Sequence, residues 1–294
     1  MTTTTQNASG RVHMEKDHAS HIARITFVNP EKKNSLAPED FLDFGEMLED
    51  CAEDDAIKVV ILRGANGTFT TGVDLGRAYG WYDTPGDDRR PSQRRRLRVD
   101  RKSQRVFHEL VGFPKVTIAQ VESYALGAGM EFALACDLAV VSRTAKLGMP
   151  AARFLGPVLG NIALFMHRLG PVFTRDLLLT GRMAEGAEFE GPRTFARFTD
   201  ADDVAAVTEE LAEQVAKMPA DGIVIAKEAY RLVEASSTLG LEEATSYLFH
   251  SFGTNLRFEK DEFNFVKTRA ESGTSAAFKK RDEHYETNAA SGAS

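Results

Sequence analysis

An α/β fold that passes into an all-helical C-terminal part is what the sequence predicts, on two observations. Strand-like and helix-like segments alternate as far as about Asn161, and beyond it the strand signals nearly stop. Taken in order, residues 1–17 are expected to be a disordered extension. From His21 to Val28 apolar and polar residues alternate (Ile22, Ile25, Phe27), which predicts a strand. Pro38 to Glu53 carries Phe41, Phe44, Met47, Leu48 and Cys51 at helical spacing, with Pro38 suited to a first turn. Lys58 to Gly64 reads as a β-branched buried strand closed by a turn over Gly64–Gly67. A helix around Arg96–Val111, a strand over Lys115–Val121, a Gly-rich turn, a helix from about Met130 and a strand over Asp137–Ser142 continue the pattern. Helices are expected over 171–180, 201–217, 219–236, 241–253 and 256–269. The organisation is thus an α/β core over 18–200, a helical region over 201–285 and a disordered tail over 286–294.

Composition sets the limits on function. The chain has 294 residues, 43% hydrophobic and 27% charged, which is ordinary globular composition able to bury a full core. The longest apolar runs are too short or too interrupted to span a bilayer. The polar start, Thr2 to Ser9, has no apolar signal region. Cys51 and Cys136 lack metal-ligand spacing and suit a reducing, cytoplasmic setting, so no metal is expected. A net charge of −7 argues against nucleic acid as a partner. Against that average, Arg89, Arg90, Arg94, Arg95, Arg96, Arg98, Arg101 and Lys102 crowd one loop and helix start. They read either as a solvated basic face or as a local anion site for a small phosphorylated ligand.

Two glycine-containing turns stand out: Phe69–Leu75 and Tyr124–Glu131. Small residues let the backbone approach a ligand, and helix-start N–H groups favour negative charge. Two such N–H groups converging on one oxygen make an oxyanion hole. Spacing alone leaves the plainer reading open, that these are tight turns of an α/β fold. Neither turn matches a dinucleotide fingerprint or a phosphate-cradling loop.

Four motifs in order resemble the crotonase, or enoyl-CoA hydratase/isomerase, superfamily. Asn29–Leu36 resembles its "RPEKRNAL" opening, and Phe69–Leu75 resembles "FSAGADL". Ala125–Asp137, ALGAGMEFALACD, resembles "ALGGGxELAxxCD", and Leu169–Gly170 with Leu179–Arg182 resembles the "G…LTGR" helix. The resemblance covers about residues 20–270. It implies a spiral of repeated ββα turns with C-terminal helices that assemble a homotrimer or homohexamer. It further implies an acyl-CoA substrate and no permanently bound cofactor, coenzyme A being part of the substrate. Val73 and Ala128 would donate the oxyanion-hole N–H groups, and Glu131 would be the catalytic carboxylate. Lys32, Lys33 and the segment at Val73 would lie against CoA, with Arg94 and Arg95 as candidates for its phosphates. At the helix start, the macrodipole is expected to favour ionised Glu131, hence a base.

One position departs from the pattern. Where the family carries a second glutamate, about twenty residues after the first, this chain has Ala151, which cannot transfer a proton. Arg153 and Asn161 are candidates for auxiliary roles, with a structural Arg and a helix N-cap as their plainer readings. Tyr79, Trp81, Tyr82 and Tyr124 are candidates for the acyl pocket. Asp74, His108 and His167 read as a turn residue and two packed or surface histidines. The functional expectation is an enolate-stabilising acyl-CoA enzyme with a specialised substrate. Its alternatives are C–C hydrolysis or decarboxylation of a β-keto acyl-CoA, and a non-catalytic CoA-binding or assembly subunit. Apolar stripes such as Leu241, Leu248 and Phe252 are those a lone domain would leave uncovered.

Overall fold

A computed structural model describes residues 2–78, 81–83, 86, 90–157, 160–259 and 262–285. Tyr79, Arg89 and the expected tail over 286–294 lie outside the described residues. The strands are β1 (Thr2–Gln6), β2 (Val12–Asp17), β3 (Ile22–Phe27), β4 (Val59–Gly64), β5 (Val116–Val121), β6 (Tyr124–Leu126), β7 (Leu138–Ser142), β8 (Lys146–Gly148), β9 (Met183–Glu185) and β10 (Arg197–Thr199). The helices of the core are α1 (Pro38–Glu53), α2 (Leu75–Ala78), α3 (Gln93–Val111), α4 (Ala128–Ala135), α5 (Ala152–Leu155) and α6 (Ile162–Thr180). The C-terminal part holds α7 (Val204–Ala216), α8 (Ala220–Ala235), α9 (Glu242–Gly253), α10 (Phe265–Ser272) and α11 (Thr274–Tyr285).

Seven strands form one sheet in the order β1-β2-β3-β4-β5-β7-β10, and β6-β8-β9 form a second. β1, β2 and β3 pair antiparallel; from β3 onward the large sheet is parallel. Successive turns of chain put one strand in the large sheet and the next in the small one, then a helix: β5, β6, α4 is such a turn, and β7, β8, α5 the next. This is the ββα spiral expected from the resemblance. Isolated bridges Leu36–Val73 and Thr70–Ala125 carry the earlier chain into the same second layer.

Between the layers lies an aromatic cluster. Phe132 of α4 meets Phe27, Phe41, Phe44 and Phe107 at ring-centroid distances of 5.6, 5.7, 5.2 and 4.9 Å. All eight residues of α4 are buried, so the helix is fixed on every side. Helix α1 buries the stripe its spacing predicts, Phe41, Phe44, Met47, Leu48 and Cys51. On the outer face of the sheet, Leu211 and Ala212 of α7 pack over Ile22, Val59, Ile61, Ile118 and Val140. Arg24 of β3 holds α7 through a bidentate pair to Glu209, 2.7 and 2.6 Å.

Three expectations need correction. Residues 2–17 are not a disordered extension: β2 pairs with β3 along its length, burying Val12 and Met14, and β1 pairs with β2. Buried Asp40 ties this hairpin to α1, accepting from Asn7 Nδ2 at 3.1 Å and Ser9 Oγ at 2.6 Å while also accepting from the Ala37 N–H at 2.8 Å. The helix expected at 171–180 is continuous with the preceding one in α6, apart from a break in helical geometry at Gly170 (φ 71°) before Pro171. The helix expected over 256–269 begins only at Phe265, because Asn264 caps it by accepting from the Lys267 N–H at 3.0 Å. Among the described residues no helix is long and apolar enough to cross a membrane.

Candidate active site

The two glycine turns meet through their main chains. Leu36 donates its N–H to the Gly72 carbonyl (2.8 Å) and accepts from the Asp74 N–H (2.7 Å). Parallel pairing of this kind uses the groups on either side of Val73, so the Val73 N–H points away from Leu36. Among the described residues it has no acceptor within the protein. The neighbouring bridge joins Thr70 to the second turn: Thr70 donates to Tyr124 (3.0 Å) and accepts from Leu126 (3.1 Å). Gly127 then adopts φ 56°, ψ −125°, a conformation for glycine, and opens α4 with Ala128 as its first residue. The Ala128 N–H is one of the donors a helix start leaves unpaired, and among the described residues it too has no acceptor.

Glycine is what allows the approach. A Cβ on Gly72 (φ +81°) would stand 2.7 Å from the Ala128 nitrogen and 2.6 Å from the Leu126 oxygen. One on Gly129 would stand 2.3 Å from the Thr70 oxygen. The main chain at Gly72 is thus in direct contact with the Ala128 amide.

Glu131 lies one turn into α4 and is 7% exposed. Burial pushes its carboxyl up to about 7, against smaller opposing effects of the Asn161 carboxamide and the His250 charge. The expectation that the helix start would favour the ionised form is therefore reversed in balance: loss of solvent outweighs the dipole. Asn161 is fully buried, in a left-handed conformation (φ 30°) immediately before α6. Its side chain does not cap α6, and among the described residues neither its Oδ1 nor its Nδ2 has a partner at hydrogen-bonding geometry. Its influence on Glu131 thus acts across more than a normal hydrogen bond. The N-cap reading of its side chain does not hold.

A family model described as enoyl-CoA hydratase/isomerase matches residues 17–274. The chain belongs to the enoyl-CoA hydratase/isomerase family. A Thermus thermophilus relative assigned to the enoyl-CoA hydratases is 31% identical over 233 residues, 79% of this chain and 87% of its own. The crystal structure of an enoyl-CoA hydratase from Mycobacterium smegmatis superposes with a TM-score of 0.80 at 26% identity, covering 93% of both chains. An enoyl-CoA hydratase/isomerase from Xanthobacter autotrophicus Py2 gives 0.79 at 25% identity, over 96% of this chain and 100% of that one.

In this member of the family, the remaining candidate residues fall into three groups. Lys32 and Lys33 stand beside the turns: Lys32 pairs with Asp74 at 2.8 Å, and the Lys33 ammonium lies 4.1 Å from the Tyr124 ring centroid. Asp74 also accepts from the Gly76 N–H at 2.9 Å, the turn role expected of it. The arginines do not act as one patch, because consecutive helix residues point about 100° apart. Arg94 is exposed, Arg95 donates to the carbonyls of Tyr82 (3.3 Å) and Asp83 (3.0 Å), and Arg96 is buried with its guanidinium 4.3 Å from the Tyr82 ring centroid. Trp81 lies 6.3 Å from Phe41, ring to ring. Ala151 opens α5, half-buried between the main core and the Phe154–Phe265 cluster. Arg153 donates from Nε to the Thr180 carbonyl at 3.0 Å, tying α5 to the end of α6, a structural role.

Sequence motifs did not point to His250 and Glu242, whose electrostatics involve Glu131, or to Asp100, which holds His250. Asp100 of α3, 1% exposed, accepts from the Tyr82 hydroxyl (2.5 Å) and pairs with His250 Nδ1 of α9 (2.9 Å). Glu242, the first residue of α9, accepts the Leu164 N–H of α6 at 2.9 Å. Their signal is a polar stripe at four-residue spacing, Glu242, Ser246 and His250, on one face of α9. Among the described residues no group of three His, Cys, Asp or Glu side chains is placed to hold a metal.

Proposed function

We propose that the chain binds an acyl-CoA thioester, receives its carbonyl oxygen between the Val73 and Ala128 amides, and moves a proton at the neighbouring carbon with Glu131. The observation that carries this reading is two unoccupied N–H groups on touching turns, close in sequence to a buried carboxyl whose ordinary acidity is lost. When Glu131 takes the proton, the C–H electron pair becomes the enolate double bond and negative charge moves onto the thioester oxygen. Donors fixed in advance stabilise that charge more than they stabilise the ground-state carbonyl. A carboxyl raised to about 7 is strong enough as a base to accept a carbon-bound proton and acidic enough to return it. Lys32 and Lys33 support contact with CoA by their place beside Val73. Of the two arginine candidates Arg94 is the better suited to a phosphate, since Arg95 is engaged by loop carbonyls.

A second reading is favoured by one residue. The methyl of Ala151 cannot donate or accept a proton, which suits C–C hydrolysis or decarboxylation of a β-keto acyl-CoA, where enolate stabilisation carries more of the barrier. A panel of enoyl- and β-keto acyl-CoA thioesters followed by mass spectrometry separates these reactions by their products. Glu131→Gln is expected to lower turnover of the accepted thioester by about 10²-fold or more. Turnover unchanged in Glu131→Gln would remove the catalytic assignment, and CoA binding without turnover of any thioester would favour a binding subunit.

A further inference from the structure

Helix α9 turns its polar edge inward. Glu242, Ser246 and His250 face the body of the protein: Glu242 is 3% exposed, Ser246 bonds His108 Nε2 of α3 at 2.9 Å, and His250 is held by Asp100. Glu242 Oε2 caps the start of α6, whereas its Oε1 is buried without a partner. A carboxyl used only as a helix cap would be favoured in its ionised form. Here burial and the charge of Glu131 act the other way, raising Glu242 to about 7 as well. Asn161, which acts on Glu131, directly precedes the helix start that Glu242 caps; it is fully buried, and among the described residues neither its donor nor its acceptor end has a partner. A carboxamide can donate to an ionised carboxylate on one side and accept from a carboxylic acid on the other. That is the complement of two carboxyls holding one proton, the usual outcome when like charges cannot both form in a buried site.

We propose that Glu242 is the second carboxyl of this site, a positioning residue that shares one proton with Glu131 in the buried pocket at the start of α6 beside Asn161, in place of the carboxylate missing at Ala151. The inference rests on the reading of Glu131 as the site's base for its role, although not for its test. No other reactant is needed: the shared proton is O–H on one carboxyl or the other, and a proton taken from substrate carbon makes the pair doubly protonated until it is returned. The buried or part-buried charged groups on the packed elements include Arg96, Asp100 and His108 of α3, His167 and Arg168 of α6, Lys227 and Glu234 of α8, and His250 of α9. Of these His250 acts on Glu131, and the charge felt by Glu242 is that of Glu131.

The test needs no substrate, so it can fail or succeed independently of the reading of Glu131 as base. The full chain, labelled with carboxyl-¹³C glutamate, is titrated by NMR, with Glu131→Gln and Glu242→Gln used to assign the two signals. The expected wild-type result is a broad two-step titration for both carboxyls. In Glu242→Gln, which keeps an acceptor for the Leu164 N–H, the Glu131 signal should follow a single-proton curve with its midpoint about one pH unit lower. Linkage is reciprocal, so Glu131→Gln must move Glu242 in the same direction by the same amount, and either variant suffices if the other does not fold. An unshifted, single-step Glu131 titration in a folded Glu242→Gln protein, or the converse in Glu131→Gln, overturns the proposal and leaves Glu242 as a helix cap.

Discussion

Glu131 illustrates how one side chain answers to burial rather than to position in a helix. Its carboxyl rises from an ordinary 4.5 to about 7 because the charged form loses its water. The folded protein therefore binds more protons than the unfolded chain between those values, and stability falls as pH rises from about 4.5 to 7, then levels off. Relative to wild type, Glu131→Gln should gain up to about 3 kcal/mol at pH 8 and lose that advantage by pH 4, as measured by urea unfolding at the two pH values. Glu131 and the turn residues Val73 and Ala128 stand out in the sequence as candidates because they lie in contiguous motifs. Glu242, Asp100 and His250 were not. Glu242 begins a helix with Glu243 beside it, where acidic residues ordinarily serve the dipole, and Asp100 is immersed in an arginine-rich helix that reads as solvated. Only the packing of α9 against α3 and α6 brings them to Glu131.

Helix α4 is the element that positions both Ala128 and Glu131, and Phe132 is its anchor. Its ring meets four other phenylalanines, so its loss leaves a cavity in the middle of the main core rather than at a margin. Phe132→Ala should cost about 3–5 kcal/mol by denaturant unfolding and should weaken acyl-CoA binding along with stability. Strand β3 was readable by its alternation, β4, β5 and β7 by their largely apolar, β-branched runs, and the stripe of α1 by its helical period. The N-terminal hairpin was not. Every residue of β1 is exposed, and β2 alternates its buried residues with His13, Glu15 and Asp17, so its period-two signal rests on only two apolar residues. The three-residue strands of the second sheet are below the length at which alternation can register at all.

The molecule as a whole leaves apolar surface uncovered on its C-terminal helices. Ile225, Leu232 and Val233 of α8 are 69%, 68% and 71% exposed, and Leu241 and Phe252, at the start and end of α9, are 60% and 63% exposed. Contiguous exposed apolar surface is where globular proteins associate, and the family resemblance implies a trimer or hexamer as the state to test. Sedimentation of wild type should show an oligomer at micromolar concentration, and Leu232→Glu should shift it toward monomer. A wild-type monomer at that concentration would set the association aside. The exposed stripe on α9 was visible in the sequence; the polar stripe opposite was hidden by the habit of assigning polar residues to solvent.

Helix α9 has its greasy edge outward and its ionisable edge against Glu131. A second copy gripping the outer edge would also steady the inner one, so crowding and dilution would reach the proposed proton pair without touching either carboxyl. An assay run far below the working concentration of the protein would then report a different acidity, not merely a smaller amount, of the same catalyst.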